Sequence, residues 1–162
     1  MCSLAHVAHL QVESALSNRG FKSKHGREVV EAGSLARLRP STWLDDEVIN
    51  FYGSMIQSRA DNDAEDGKPV TKLHYFNTFF YKKMSEDGYT KMLSRWTKKV
   101  DIFQKDLVIF PINVGGVHWT CGAIDFKRKR LEYYDSLGNF NATMEQFFEV
   151  SSRSIQVLTS RS

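Results

Sequence analysis

Two side chains stand out for the chemistry that their types and spacing allow. His118 and Asp135 flank Lys127–Arg130, four consecutive basic residues set between apolar segments. That layout reads as a β-hairpin with its tip near residues 127–128. Facing residues of such an antiparallel pair have numbers that sum to roughly 255. His118 then lies opposite about residue 137, and Asp135 opposite about residue 120. An offset of two residues is only ~7 Å at the rise of a strand, so imidazole and carboxylate can meet. A carboxylate at that range fixes the imidazole tautomer and stabilises the imidazolium, as a general base requires. A histidine and an aspartate on neighbouring strands also form purely structural hydrogen-bonded pairs, so the pair by itself leaves both roles open.

The other candidate groups fall away. His6, His9, His25 and His74 have no comparable partner and suit surface or core roles. There are two cysteines, Cys2 and Cys121, which offer neither a disulfide framework nor a paired zinc motif. Cys121 follows His118 by three strand positions, hence ~10 Å along and on the opposite face. A nucleophilic thiol must sit about 3 Å from its base, so Cys121 is expected to be a small buried hydrophobe. Cys2 has no activating partner. Asp61, Asp63 and Glu65 suggest a calcium loop, but Asp66 stands where the sharp turn needs glycine and Lys72 where a bidentate glutamate is required. A solvated loop over 61–68 is expected instead, and no metal.

These residues need elements to position them. Leu44, Val48, Phe51, Tyr52, Met55 and Ile56 recur at helical spacing, which predicts a helix over about 44–58 with Thr42 and Asp45 as its capping box. Phe76, Phe79, Phe80, Lys83 and Met84 predict a second helix, and Tyr89, Met92, Leu93 and Trp96 a third. After Trp96 the pattern changes to strands: 106–112, 117–126 and 131–135, with Gly115 and Gly116 turning between the first two. A short helix is expected over Leu4–Leu16, a polar stretch over Ser17–Arg27, and one more helix over Ala142–Val150. From Ser151 onward no period is visible. Helices first and strands later indicate an α+β domain.

Composition bounds the rest. The 162 residues match one domain in length, and 22 Lys and Arg against 19 Asp and Glu leave a formal charge of only +3. That balance argues against nucleic acid as the main ligand. The longest strongly apolar run, Leu107–Ile112, is far short of the ~18 residues of a membrane span. The first residues, broken by His6, His9, Gln11 and Glu13, do not read as a secretory leader. Asn141-Ala142-Thr143 fits a glycosylation acceptor, which has no use without a secretory route. A reducing compartment, nucleus or cytoplasm, is expected. Lys127–Arg130 fits a nuclear-import signal and a solvated hairpin tip equally well.

Four motifs occur in order: Trp43-Leu44-Asp45-Asp46, Phe76-Asn77-Thr78-Phe79-Phe80-Tyr81, Val117-His118-Trp119 and Tyr134-Asp135-Ser136-Leu137. Arg95-Trp96-Thr97-Lys98-Lys99 and Pro111-Ile112-Asn113 fall in the gaps. Together, from about Leu35 to Leu137, they resemble the SUMO-specific (sentrin-specific) branch of the ubiquitin-like-protein-specific cysteine proteases. The resemblance implies a papain-like α+β fold, N-terminal helices followed by a mostly antiparallel sheet, incomplete at its C-terminal end. It divides the chain into a weakly patterned segment 1–30, a partial catalytic domain 31–150 and a divergent polar tail 151–162.

By that resemblance His118 is the general base and Asp135 its orienting carboxylate. Trp43 and Trp119 are the indoles that enclose the Gly-Gly tail of the substrate, where flat rings leave room for no side chain. Asp46 pairs with a basic patch on SUMO, and Phe76 touches the modifier. Core packing is the alternative for both tryptophans and for Phe76. The implied partners are SUMO or SUMO-conjugated proteins, met by a monomer without metal or organic cofactor. The family's nucleophilic cysteine, and a glutamine lining its oxyanion hole, lie beyond the matching aspartate. Neither is found here, so an inactive front part of such a protease is expected. A noncatalytic SUMO-binding module is the alternative.

Overall fold

The computed structural model describes residues 4–86, 96–138 and 142–159. The chain forms two compact units, Met1–Met55 and Ile56–Ser162. The first holds helix α1 (Leu4–Ser17), the antiparallel strands β1 (Lys22–His25) and β2 (Glu28–Glu31), and a short helix α2 (Ala32–Leu35) that runs into a 3-10 turn, Ala36–Leu38. Gly26, at φ +58°, turns the β1–β2 hairpin. The hairpin begins in the polar stretch expected over Ser17–Arg27, where Lys22-Ser23-Lys24-His25 has no apolar member to show a strand period. Among the described residues, Val30, Ala32 and Val48 are the buried apolar ones of the unit.

Helix α3 (Asp46–Glu65) begins in the first unit and ends in the second. Its cap is Asp45, not Thr42: Asp45 Oδ1 accepts the Val48 N–H at 3.0 Å, while the Thr42 hydroxyl donates to the carbonyls of Arg37 and Arg39. The helix also runs through most of the expected acidic loop. Good helix formers such as Gln57, Ala60 and Ala64 carry it on, and Gln57 Nε2 bonds Asp61 Oδ1 one turn away. Gly67, at φ +71°, stops it. The N–H of Lys68 reaches the Asp63 carbonyl and that of Gly67 the Ala64 carbonyl, the paired bonds of a Schellman ending.

The second unit is built on a four-stranded sheet in the order β3 (Leu73–Tyr75), β4 (Leu107–Val114), β5 (His118–Asp125), β6 (Arg130–Tyr134). The β3–β4 pair is parallel and the other two are antiparallel. Helices α4 (Phe79–Glu86) and α5 (Ala142–Thr159) accompany it. Val108, Phe110 and Ile112 alternate along β4 and are fully buried, so one face of the sheet is the core. Phe147 of α5 and Phe80, Tyr81 and Met84 of α4 join them. Gly122 faces this layer, where a Cβ would lie 2.7 Å from the Phe110 ring and 2.8 Å from that of Phe147. Only glycine lets the two rings close over β5.

Strand β3 has no signal in the sequence; at three residues it is too short for an apolar period. Helix α5 continues past Val150, where no period was visible. Ser151 is fully buried, one turn beyond Phe147, so a small polar residue holds an inner helical position and hides the pattern. Of the helix predicted from Tyr89, Met92, Leu93 and Trp96, all but Trp96 lies outside the described residues.

Candidate active site

Two hairpins bring the base and the carboxylate together. Gly115 and Gly116, at φ +62° and +79°, form the β4–β5 turn, so His118 opens β5 opposite Val114. The β5–β6 register pairs Cys121 with Tyr134 and Asp125 with Arg130, the register expected from the tip. That tip is anchored by Asp125, whose carboxylate accepts the Arg128 backbone N–H at 2.7 Å and its guanidinium at 3.1 Å. The backbone bond first, and then the guanidinium, hold the Asp125 carboxyl below the usual carboxylate range. A fixed tip fixes the register, and a slip of one residue would turn Asp135 to the other face.

His118 Nε2 lies 2.7 Å from Asp135 Oδ1, and the two side chains are only 13% and 6% exposed. Parity puts His118 on the face of β5 shared by Thr120 and Gly122. The same Oδ1 accepts the Leu137 backbone N–H at 2.8 Å. With Nε2 turned to the carboxylate, proton acceptance falls to Nδ1. The arrangement can therefore serve a proton-abstracting imidazole in a largely buried setting.

Cys121 does not join it. It alternates onto the face of Trp119, away from His118, and burial pushes its thiol up. A raised thiol carries little thiolate at neutral pH. Trp119, the next residue in sequence after the base, is half-buried. Phe76 is 3% exposed, stacked on Phe80 at 3.9 Å and edge-on to His74 and Trp96. For Phe76 the core alternative is the one the fold adopts.

Trp43 and Asp46 belong to the first unit. Trp43 is 63% exposed on a segment clamped by Arg37, whose Nη1 donates to the Trp43 carbonyl at 3.3 Å and whose Nε pairs with Asp45 Oδ2 at 3.0 Å. Asp46 is half-buried in the first turn of α3, where a carboxylate is favoured by the helix dipole. The Arg37 clamp had no signal in the sequence, since an arginine in a polar stretch is ordinary. The bond from Leu137 to Asp135 had one: an aspartate three positions before a glycine is turn chemistry. Among the described residues no cluster of three His, Cys, Asp or Glu side chains is placed to hold a metal, and no helix is long and apolar enough to cross a membrane.

Comparison with known proteins gives this geometry a family. A family model described as the Ulp1 protease family, C-terminal catalytic domain, matches residues 42–162. Sentrin-specific protease 3 of Mus musculus is 37% identical over 123 residues, covering 76% of this chain and 20% of that protein. The chain thus spans about a fifth of that relative's length. The crystal structure of the C-terminal Ulp1 protease domain in complex with Smt3, the yeast ortholog of SUMO, superposes with a TM-score of 0.75 at 28% identity, covering 93% of this chain and 65% of that one. The SUMO protease Ulp1 with its catalytic cysteine oxidised to a sulfenic acid gives 0.79 at 29%, covering 98% and 68%. The expected α+β class and fold agree with these structures. On the match of residues 42–162, the chain belongs to the Ulp1 protease family.

Proposed function

We propose that this chain carries the base and orienting carboxylate of a cysteine peptidase that cleaves SUMO after its terminal Gly-Gly. The observation that carries the reading is the 2.7 Å bond between His118 Nε2 and Asp135 Oδ1. In this mechanism His118 Nδ1 takes the proton of a cysteine thiol, and the sulfur attacks the terminal glycine carbonyl. The leaving amine recovers the proton from His118 and a thioester remains. Water, deprotonated by the same imidazole, hydrolyses it and releases the thiol. The nucleophile is a cysteine other than Cys121, which faces away from the base. By the family resemblance we assign Trp43 and Trp119 each to contact with the glycines, and Asp46 to a basic group of SUMO. A reducing compartment, nucleus or cytoplasm, suits a free-thiol enzyme.

A second reading is a noncatalytic SUMO-binding module. It is favoured by the placement of Cys121 together with the exposure of Trp43 and Leu44, 63% and 40%. The two readings separate in one experiment. A SUMO precursor is incubated with the 162-residue chain and with a version extended through a segment that carries the family's nucleophilic cysteine. The peptidase reading expects cleavage by the extended chain, lowered ~10⁴-fold in kcat by Asp135→Asn. Binding of SUMO by both chains, with cleavage by neither, supports the module.

A further inference from the structure

The chain leaving β6 turns back onto the carboxylate it has just delivered. Asp135 Oδ1 accepts from His118 Nε2 at 2.7 Å and from the Leu137 backbone N–H at 2.8 Å. The Asp135 carbonyl accepts the Gly138 N–H at 3.1 Å. The bonds donated by the Leu137 and Gly138 N–H groups, one to the Asp135 side chain and one to its carbonyl, close a four-residue turn that an aspartate opens and a glycine at φ +69° ends. A carboxylate held by the imidazole alone could swing together with it. The Leu137 N–H is part of the backbone, so it fixes one carboxylate oxygen relative to the sheet. That oxygen is the one facing His118.

We infer that the turn Asp135–Gly138 is a positioning device for the base. The Leu137 amide orients the carboxylate, and Gly138 supplies the left-handed backbone that lets the turn close. The inference rests on the reading of His118 as base. Leu137 and Gly138 are positioning residues, since both act through Asp135. The requirement at Gly138 is conformational rather than spatial, because a Cβ there would meet nothing within 4 Å. Alanine and asparagine therefore both fit, but asparagine tolerates the left-handed region far better.

The test reads the tautomer of the His118 ring by long-range nitrogen–proton NMR on the 162-residue chain. It is run at about pH 8.5, above the ordinary histidine range. Wild type is expected to show one tautomer with the proton on Nε2. Leu137→Pro, which deletes the donor, is expected to lose that single signature and give a mixture. Gly138→Ala should move towards the mixture and Gly138→Asn should keep the wild-type signature. A wild-type signature in Leu137→Pro or in Gly138→Ala overturns the inference, as does an equal displacement in both Gly138 variants. Should Leu137→Pro fail to fold, the Gly138 pair decides. The readout needs neither SUMO nor turnover, so absent peptidase activity leaves it standing, and its own failure leaves the assignment of His118 and Asp135 intact.

Discussion

Burial decides the charge state of two side chains on this sheet, and each has a measurable consequence. His74 of β3 is pushed down to about 4, chiefly by burial, then by Lys105, with Asp61 opposing. The unfolded chain, near 6.5, binds a proton between those values that the folded chain refuses. Stability is therefore full above about pH 6.5 and falls as the pH drops towards 4. The imidazole is partly exposed, so the loss is on the order of 1–2 kcal/mol. Urea titrations across that range should show this slope, and His74→Gln should flatten it. Burial likewise holds the Cys121 thiol protonated. A SUMO-vinyl sulfone probe, which captures an activated thiolate, should leave Cys121 of the 162-residue chain unmodified. An adduct at Cys121 in the peptide map would overturn the strand alternation that turns it from His118.

Among the elements, β5 and β3 depend on single residues in different ways. Gly122→Ala would drive a Cβ into Phe110 and Phe147, both fully buried. Overpacking of this kind costs about 1–3 kcal/mol. Denaturant unfolding should show that loss, and Phe147→Leu should make the alanine less costly through the coupling of neighbours. Strand β3 is an edge of the sheet, and a side chain covers it. The Gln57 amide donates to the Leu73 carbonyl at 3.2 Å and accepts the Tyr75 N–H at 2.8 Å, in the manner of a further strand. Gln57→Ala removes both bonds. It should cost about 1–3 kcal/mol and speed hydrogen exchange at the Tyr75 amide.

At the scale of the whole molecule, the proposed SUMO contacts are divided between two units: Trp43 and Asp46 in the first, Trp119, His118 and Asp135 in the second. Recognition can therefore be tested apart from chemistry. Asp46→Ala should weaken SUMO binding by ~1–3 kcal/mol, measured by titration of labelled SUMO. Arg37→Met, which releases the Trp43 carbonyl and the Asp45 carboxylate, should weaken it in the same direction. Equal affinity of wild type and Asp46→Ala would remove Asp46 from the interface.

How much of this could be read before folding differs by residue. The His118–Asp135 contact followed from the sequence, because a basic hairpin tip flanked by two apolar strands admits one register, and strand parity does the rest. The opposite facing of Cys121 came from the same parity. The strands of the core were equally legible, since β4 is nearly all apolar. What the sequence could not convey were features with no local period. Phe76 looked as apt for a surface as for the core until Phe80, His74 and Trp96 enclosed it. Strand β1 is polar throughout, α3 outlasts its apolar face because a Schellman turn at Gly67 ends it, and Ser151 is buried by the helix that carries it. Local patterning records which face of an element is apolar. Which polar residue becomes a clamp, as Arg37 does on Trp43 and Gln57 on β3, depends on neighbours distant in sequence, and only the tertiary structure brings those together.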